Sequence, residues 1–526
     1  MYSIRYRLKL IFLLCCLSLR LSEIGLRAEI KLPALISDGM VLQQGTKVTL
    51  WGTADPGEQV TVTVNRSEAR GVADSEGQWS AKLGPLNAGG PHTVTIAGKN
   101  TITLHDVLVG EVWVCSGQSN MAITVGPTRP PYFTGVNNYQ EELHAANHPM
   151  LRLFTVERAV ARKPQRDLKG SWVSARPETV NDFSAVGYFF GRQLLQTLNV
   201  PVGMIHSSLG STTAEVWMRR AALESDPDLK SILESEKTIA TSYRKVFDKF
   251  ERQYEQWKLD SEKAEAEGKP GPLAPKIPDD PRQSHTRPAA LYNAMIFPLT
   301  FFAIKGVIWY QGESNSDRPG QYRKLFPALI RDWRQAWGQG DFPFLFVQLA
   351  SWGIQYFQLN FPALREAQSI ALTLPNTGMA VTTDIGDGTD GHPKNKQDVG
   401  YRLALAAQAI AYGRDVIYTG PTYDSTVIEG EAVRIRFKNA NGGLTSRNWP
   451  PGFRSGFEIA GEDRKFVEAE ASIEGDTVLV RSERVSRPVA VRYNWKDNPW
   501  HHLYNRARLP APPFRTDDWP DAILPR

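Results

Sequence analysis

The chain has 526 residues, more than one compact core accommodates, which indicates about two to four domains. Its 41% apolar and 22% charged residues are typical of a globular protein and exclude a wholly disordered, collagen-like or coiled-coil chain. The net charge is +5, but residues 1–28 carry five Arg or Lys and one Glu, so the remainder has a charge of only +1. This near balance argues against a nucleic-acid-binding protein.

Residues 1–28 are predicted to be a secretory signal peptide. Three basic residues, Arg5, Arg7 and Lys9, precede an apolar run at 10–19 that is too short to span a bilayer. We expect cleavage after about Ala28 and therefore an exported protein, periplasmic or extracellular. An uncleaved anchor is the alternative, because Leu26 departs from the small-residue pattern of cleavage sites. No later apolar run is long enough to cross a membrane.

Residues 29–106 are predicted to form an amino-terminal β-sandwich domain. Short segments of alternating apolar and polar residues, such as 47–51 and 59–64, are separated by Pro-Gly and Gly-Gly turns. Only one cysteine, Cys115, follows the leader, so we predict no internal disulfide and interpret this thiol as a small buried apolar group.

Residues 107–420 alternate between strand-like runs and segments long enough for helices. This pattern predicts an α/β domain with a mostly parallel sheet covered on both faces. A helical insertion is expected at about 218–290, where apolar residues recur every three or four positions between 226 and 268 and a proline-rich connector follows at 269–288. Residues 421–526 return to alternation and are predicted to form a carboxy-terminal β domain.

Four polar, glycine-containing loops follow strands of the predicted sheet. They are Gly117-Gln-Ser-Asn120, Ser207-Ser-Leu-Gly-Ser-Thr-Thr213, Gln311-Gly-Glu-Ser-Asn315 and the run from Asp384 to Pro393. Loops after parallel strands emerge at one edge of the sheet. Together they supply a serine, backbone amides, an amide side chain, carboxylates and a histidine, which are the parts that an acyl-transfer site needs.

These motifs resemble those of the sialate O-acetylesterases and related carbohydrate acetylesterases of the SGNH hydrolase superfamily. The likeness rests on Gly117-Gln-Ser-Asn-Met121, Trp309-Tyr-Gln-Gly-Glu-Ser-Asn315 and Asp384-Ile-Gly-Asp387 followed by His392-Pro-Lys-Asn-Lys-Gln397. It implies a flavodoxin-like three-layer α/β sandwich, with β-sandwich-like domains on either side. The second glycine of the Gly-x-Ser-x-Gly elbow is missing, so ordinary α/β-hydrolases are a poorer match.

The resemblance makes Ser119 the nucleophile and His392 the general base. Among nine histidines, only His206 and His392 follow strands of the predicted central sheet, and His206 is better interpreted as a packed strand-end residue. The acid that orients His392 is left open. SGNH hydrolases commonly have it three residues before the histidine, where this chain has Thr389, so Asp390 is preferred and Glu313 is its rival, with a backbone carbonyl as a third possibility.

The resemblance also implies the groups that stabilise the oxyanion and contact the substrate. The donors are expected to be the amides of Ser119 and Gly210 and the side chain of Asn315, and Gln118 and Gln311 are expected to bind substrate. No metal or other cofactor is predicted. The aspartates before His392 could ligate a cation, but glycines interrupt them and no second histidine stands at ligand spacing.

The sequence therefore predicts an exported serine esterase that acts on an O-acetylated sugar or glycan, with sialic acid as the favoured sugar. Acetylated xylan or another polysaccharide is the alternative substrate. An alternative of another class is a non-catalytic carbohydrate-binding surface protein that retains the fold around an inactive site. The oligomeric state and the position of the acetyl group are left open.

Overall fold

The computed structural model describes residues 29–128, 133–353, 360–447 and 455–520. The predicted signal segment, residues 1–28, lies outside these ranges. The predicted α/β fold class is confirmed, because a largely parallel central sheet carries helices and is accompanied by further β-sheets from both ends of the chain. Within the described ranges, no helix combines the length and apolar character that crossing a bilayer requires.

The amino-terminal region is built from short strands that pair antiparallel, except that the first strand pairs in parallel with the seventh. They are β1 (Val41–Gln43), β2 (Val48–Thr53), β3 (Gln59–Val64), β4 (Ser67–Val72), β5 (Gln78–Leu83), β6 (Gly89–Ala97) and the start of β7 (Thr101–Gly117). Buried residues alternate along β3 and β5, as expected of strands with one face in a core. Strand β3 pairs with β4 and β6, and β2 pairs with β5.

Strand β7 joins the amino-terminal region to the central sheet. Its first half pairs antiparallel with β6, and its second half, from Glu111, pairs in parallel with β10 (Val202–Ser208) and, from Trp113, with β11 (Gly306–Tyr310). The predicted domain boundary at residue 106 therefore falls inside one continuous strand. A single hydrophobic core extends from Ile30 to Ala407.

The central sheet has the order β13-β12-β11-β7-β10-β8-β9. Its other strands are β8 (His148–Thr155), β9 (Trp172–Ala175), β12 (Phe344–Val347) and β13 (Thr377–Ala380), and all pairs are parallel except β8 with β9. Every residue of β10, β11 and β12 is buried. Such continuous burial is typical of parallel strands covered on both faces.

Helices cover both faces of this sheet. They are α1 (Ser119–Ala122), α2 (Tyr139–His144), α3 (Pro177–Asn181), α4 (Ala185–Leu198), α5 (Arg220–Ser225), α6 (Lys230–Ala266), α7 (Pro319–Trp337), α8 (Phe361–Ser369) and α9 (Lys396–Ile410). Trp113 of β7 contacts Phe190 of α4, whereas Trp309 of β11 contacts Trp333 of α7. Trp113 pairs with Gly306, three residues before Trp309, so the two indoles point to opposite faces.

The predicted helical insertion contains the long helix α6. Only Ile232 and Leu233 of this helix are buried. Farther along, aromatic side chains from Tyr243 to Trp257 contact one another at spacings of three and four residues. Tyr243 Oη and Trp257 Nε1 donate to the carbonyls of Pro278 and Pro272, at 3.3 and 2.8 Å. The proline-rich connector therefore runs back along the aromatic row.

The carboxy-terminal region forms a second hydrophobic core between Val433 and Phe514. Its strands are β14 (Thr422–Glu429), β15 (Ala432–Lys438), β16 (Leu444–Arg447), β17 (Phe457–Ala460), β18 (Val467–Glu468), β19 (Glu470–Glu474), β20 (Thr477–Arg481), β21 (Ala490–Tyr493), β22 (His502–Asn505) and β23 (Phe514–Arg515). All pairings within this region are antiparallel.

Candidate active site

Ser119 lies at the point where β7 ends and the short helix α1 begins. The turn depends on Gly117, whose φ is +138° and whose position leaves no room for a side chain, because a Cβ there would lie 2.1 Å from the carbonyl oxygen of Tyr310. The backbone amide of Gln118 donates to the same carbonyl at 2.9 Å. The strand end is therefore held against β11, and the partly exposed Ser119 follows directly.

His392 lies beside this serine, although 273 residues separate them in sequence. The distance between His392 Nε2 and Ser119 Oγ is 3.0 Å, within hydrogen-bonding range. Burial lowers the pKa of His392 below its ordinary value, and the positive charge of Lys396 lowers it further, against an opposing effect of Asp390. The imidazole is therefore kept neutral to lower pH, in the form that can accept a proton.

The two acids predicted as alternatives occupy different positions. Asp390 Oδ1 accepts from the backbone amide of His392 at 2.8 Å and lies 3.7 Å from His392 Nδ1. Glu313 is hydrogen-bonded to Asn120, at 2.6 Å, and its second oxygen is buried without a hydrogen-bond partner among the described residues. Burial raises the pKa of Glu313 above its usual value. Of the two acids, Asp390 is the one beside the imidazole.

The two further groups predicted as oxyanion donors come from the loops after β10 and β11. A Cβ added to Gly210 would lie 3.4 Å from the Cβ of Ser119, so this loop passes next to the serine. Asn315 is buried; its Oδ1 accepts from the amide of Ala214 at 3.0 Å, and its Nδ2 donates to Glu215 at 3.1 Å. A side-chain amide has two N–H bonds, so one N–H of Asn315 has no hydrogen-bond partner among the described residues.

Gln118 and Gln311, predicted to bind substrate, are both buried. Gln118 Oε1 accepts from the amides of Gly312 and Ser314, at 3.4 and 3.3 Å. Gln311 Nε2 donates to Asn315 Oδ1 at 2.8 Å and to the carbonyl of Thr212 at 3.1 Å. These contacts connect the loops to one another, so the described positions of both side chains support a positioning role rather than direct contact with a sugar.

Asn120 and Lys396 connect the loops around the serine, and neither was predicted as a site residue. Asn120 Nδ2 donates to Glu313 and to the carbonyl of Gly391 at 2.9 Å, and its Oδ1 accepts from Lys396 Nζ at 2.6 Å. Burial lowers the pKa of Lys396 to about 7, with Glu313 opposing the shift. Asn120 stands in the serine motif, but no local pattern indicates that Lys396, the first residue of α9, is buried.

Asp384 and Asp387, which precede His392, are hydrogen-bonded to different groups of the protein. Asp384 forms a two-pronged ion pair with Arg402, at 2.6 and 2.8 Å, and accepts from Tyr504 at 3.3 Å. Asp387 instead accepts from the amide and hydroxyl of Thr389. Within the described ranges, no group of three or more His, Cys, Asp or Glu side chains could hold a metal ion.

His206 and Cys115, which the sequence predicts to be packed side chains, are both buried in the core. His206 is buried at the end of β10, which lowers its pKa to about 4, and its Nε2 lies 2.6 Å from Ser208 Oγ. Cys115 is completely buried inside β7, which raises the pKa of its thiol. A thiolate is the nucleophilic form of cysteine, so this residue is chemically inert there.

Comparisons with known proteins find similarity over almost the whole chain. A family model described as a carbohydrate esterase, sialic acid-specific acetylesterase, matches residues 282–410. The sialate O-acetylesterases of Mus musculus and Homo sapiens are 31% and 30% identical to this chain, over 91% of it and 93% and 91% of those proteins. A solved carbohydrate acetylesterase from Xanthomonas citri is 36% identical, with a TM-score of 0.77, over 93% of this chain and 100% of that one.

Proposed function

Because the chain belongs to the sialate O-acetylesterase family of carbohydrate esterases, we propose that it removes O-acetyl groups from sialic acids by a serine mechanism. It is a carboxylic ester hydrolase. The observation that carries the serine mechanism is the 3.0 Å contact between Ser119 Oγ and His392 Nε2, in a site where both groups are partly exposed. The proposed roles of the other residues are built around that pair.

In the first half of the reaction, Ser119 Oγ attacks the acetyl carbonyl while His392 Nε2 takes the hydroxyl proton. Asp390 is proposed to orient the imidazole. The negative charge that develops on the carbonyl oxygen is stabilised by the amides of Ser119 and Gly210 and by the remaining N–H of Asn315. Each such donor lowers the barrier by about 2.7–4 kcal/mol.

The tetrahedral intermediate then collapses and the bond to the sugar oxygen breaks, which completes acylation of the serine. His392 returns its proton to that oxygen, so the sugar leaves as an alcohol and the acetyl group stays on Ser119. A water molecule then attacks the acetyl-serine with His392 again as base, which releases acetate and restores the serine hydroxyl. Because burial lowers the pKa of His392 below its ordinary value, the imidazole stays available as base for both attacks.

Support for sialic acid as the sugar comes from the relatives. The mouse and human proteins, which align over nearly their whole length, are named sialate O-acetylesterases, and the family model carries the same sugar in its description. The Xanthomonas citri structure has the broader name of a carbohydrate acetylesterase. Acetylated xylan or another polysaccharide is therefore the second candidate substrate.

Export is also proposed, on the charged and apolar pattern of residues 1–28. The stretch from Arg5 to Lys9 and the following apolar run form the two regions of a cleavable leader. We expect protein recovered from outside the cytoplasm to start near residue 29, which amino-terminal sequencing measures. A chain that still begins at Met1 and sediments with membranes would favour the uncleaved anchor.

The deciding experiment measures acetate released from O-acetylated sialic acid and from acetylated xylan. The purified protein is compared with Ser119→Ala and with Ser261→Ala, a serine of helix α6 that lies outside the site. We expect release from the sialic acid to disappear in Ser119→Ala and to persist in Ser261→Ala. Release of acetate from xylan alone would make the polysaccharide, instead of sialic acid, the assigned substrate. No release from either substrate by folded protein, with the glycan still bound, would favour the non-catalytic binding protein.

A further inference from the structure

Two cavities lie next to each other beyond the sheet edge that carries the candidate active site. The first, of about 1080 Å³, runs along residues 157–169, directly after β8. The second, of about 610 Å³, lies between helix α6 and the end of the proline-rich connector. Arg162 and Arg287 line both cavities. We call the two cavities together, with these shared residues, the arginine cleft.

The arginine cleft is strongly cationic. The first cavity is lined by five basic side chains, against the acidic Glu157 and Asp167. The second also has five, against Glu215 and Glu236. The basic residues, counted once, are Arg158, Arg162, Lys163, Lys169, Arg220, Lys237, Arg287 and Arg318. Because the chain beyond residue 28 has a charge of only +1, this excess is a local concentration rather than a property of the whole surface.

Part of this positive charge has no partner among the residues that the structure describes. Arg287 Nε donates to Glu236 at 2.7 Å, but its Nη1 is buried without a hydrogen-bond partner among the described residues. Arg162 is exposed and forms neither an ion pair nor a side-chain hydrogen bond with any residue that the structure describes. The exposed guanidinium of Arg162, in the wall of both cavities, is therefore available to an anionic ligand.

The cleft adjoins the proposed reaction centre through one loop. Glu215, in the wall of the second cavity, accepts from Asn315 Nδ2 at 3.1 Å and from Arg318 Nη2 at 3.0 Å. Glu215 follows the loop that brings Gly210 next to Ser119. Asn315, Glu215 and Arg318 therefore form a continuous chain of hydrogen bonds from a proposed oxyanion donor to the wall of the second cavity.

We propose that the arginine cleft binds the carboxylate of the sugar whose acetyl group is removed. A guanidinium matches the planar, two-oxygen geometry of a carboxylate, and sialic acid carries one that is ionised at neutral pH. A neutral xylose chain has no such group. The inference rests on the proposed function. It also assigns the helical insertion a role in substrate binding, because Ile232, Lys237 and Ile239 of α6 form one wall of the cleft.

The test compares O-acetylated sialic acid with its 1-carboxamide, which is nearly isosteric and neutral. In the unmodified protein we expect the KM of the carboxamide to exceed that of the acid by about tenfold or more, because charge-assisted hydrogen bonds are the stronger ones. In Arg162→Gln this ratio should fall toward one. Arg481→Gln, which removes a cation from strand β20 of the carboxy-terminal region, should keep it. Melting curves verify that the variants are folded.

A second measurement separates this inference from the proposed function. The Ser119→Ala variant is titrated calorimetrically with deacetylated sialic acid and with its carboxamide, so that no turnover is needed. Equal affinity for both, or equal KM values alongside normal acetate release, would overturn the carboxylate site and leave the proposed function standing. Preference for the acid without acetate release by the unmodified protein would retain the site and overturn the esterase assignment.

Discussion

At the scale of single residues, the network behind the serine explains how the site is held together. Asn120 follows Ser119 in sequence and ties the loop of His392 to Glu313 and Lys396. The positive charge of Lys396 also acts on the imidazole, where it lowers the pKa of His392. We therefore regard Asn120 and Lys396 as positioning residues that act through His392.

Replacing Lys396 with methionine should change both stability and the pH dependence of the reaction. Asn120 Oδ1 would lose its donor, which costs about 1–3 kcal/mol of unfolding free energy. Removing the charge removes an effect that lowers the pKa of His392, so that pKa rises and the acid limb of the kcat/KM profile moves to higher pH.

Denaturant melts and a pH series of acetate release measure these two effects. Lys394→Met is the matched control, because Lys394 is exposed in the same loop. A profile that moved equally in both variants, or in neither, would contradict the assigned role of Lys396. A loss of stability without a change in the profile would limit Lys396 to a structural role.

At the scale of elements, the turn between β7 and α1 brings the serine to the sheet edge. The turn depends on a backbone conformation and a close approach to β11 that only glycine allows at position 117. Strand β7 is also the element that joins the amino-terminal sheet to the central sheet. A change at its end therefore acts on the position of Ser119 without touching the serine itself.

Gly117→Ala should destabilise the fold and reduce acetate release. The new Cβ would clash with the Tyr310 carbonyl, and the backbone of the alanine would be strained at a φ of +138°, at a combined cost of about 2–6 kcal/mol. Gly430→Ala is the control, because Gly430 also has a positive φ, +64°, but open space around its Cβ position. The control should lose only about 1–2 kcal/mol and keep its activity. Equal losses of activity in both variants would show that the clash is unimportant.

At the scale of the whole molecule, the carboxy-terminal region is bound to the loop that carries His392. Tyr504 donates to Asp384 at the start of that loop, and the buried Arg365 of α8 donates to the carbonyls of Lys496 and Asp497, at 2.7 and 2.9 Å. The two hydrophobic cores are therefore connected by polar contacts close to the site. The carboxy-terminal β region supports the site and is more than a spacer.

The sequence by itself determined the fold class and the chemical elements of the site. The α/β class follows from the alternation of strand and helix patterns, because hydrophobic periodicity is local. The helix expected between 226 and 268 is present at Lys230–Ala266 for the same reason. Ser119 and His392 were predicted from motifs at strand ends, and the structure brings them to 3.0 Å because parallel strands end at a common edge.

Tertiary structure alone decided the rest. The burial of Lys396, the inward-facing amides of Gln118 and Gln311, and the closer approach of Asp390 than Glu313 to His392 depend on contacts between residues far apart in the chain. The arginine cleft is likewise assembled from residues 157–169, helix α6 and the connector, which no local pattern relates. Local sequence sets periodicity and turn chemistry, whereas desolvation, charge pairing and cavity shape arise only when distant segments pack together.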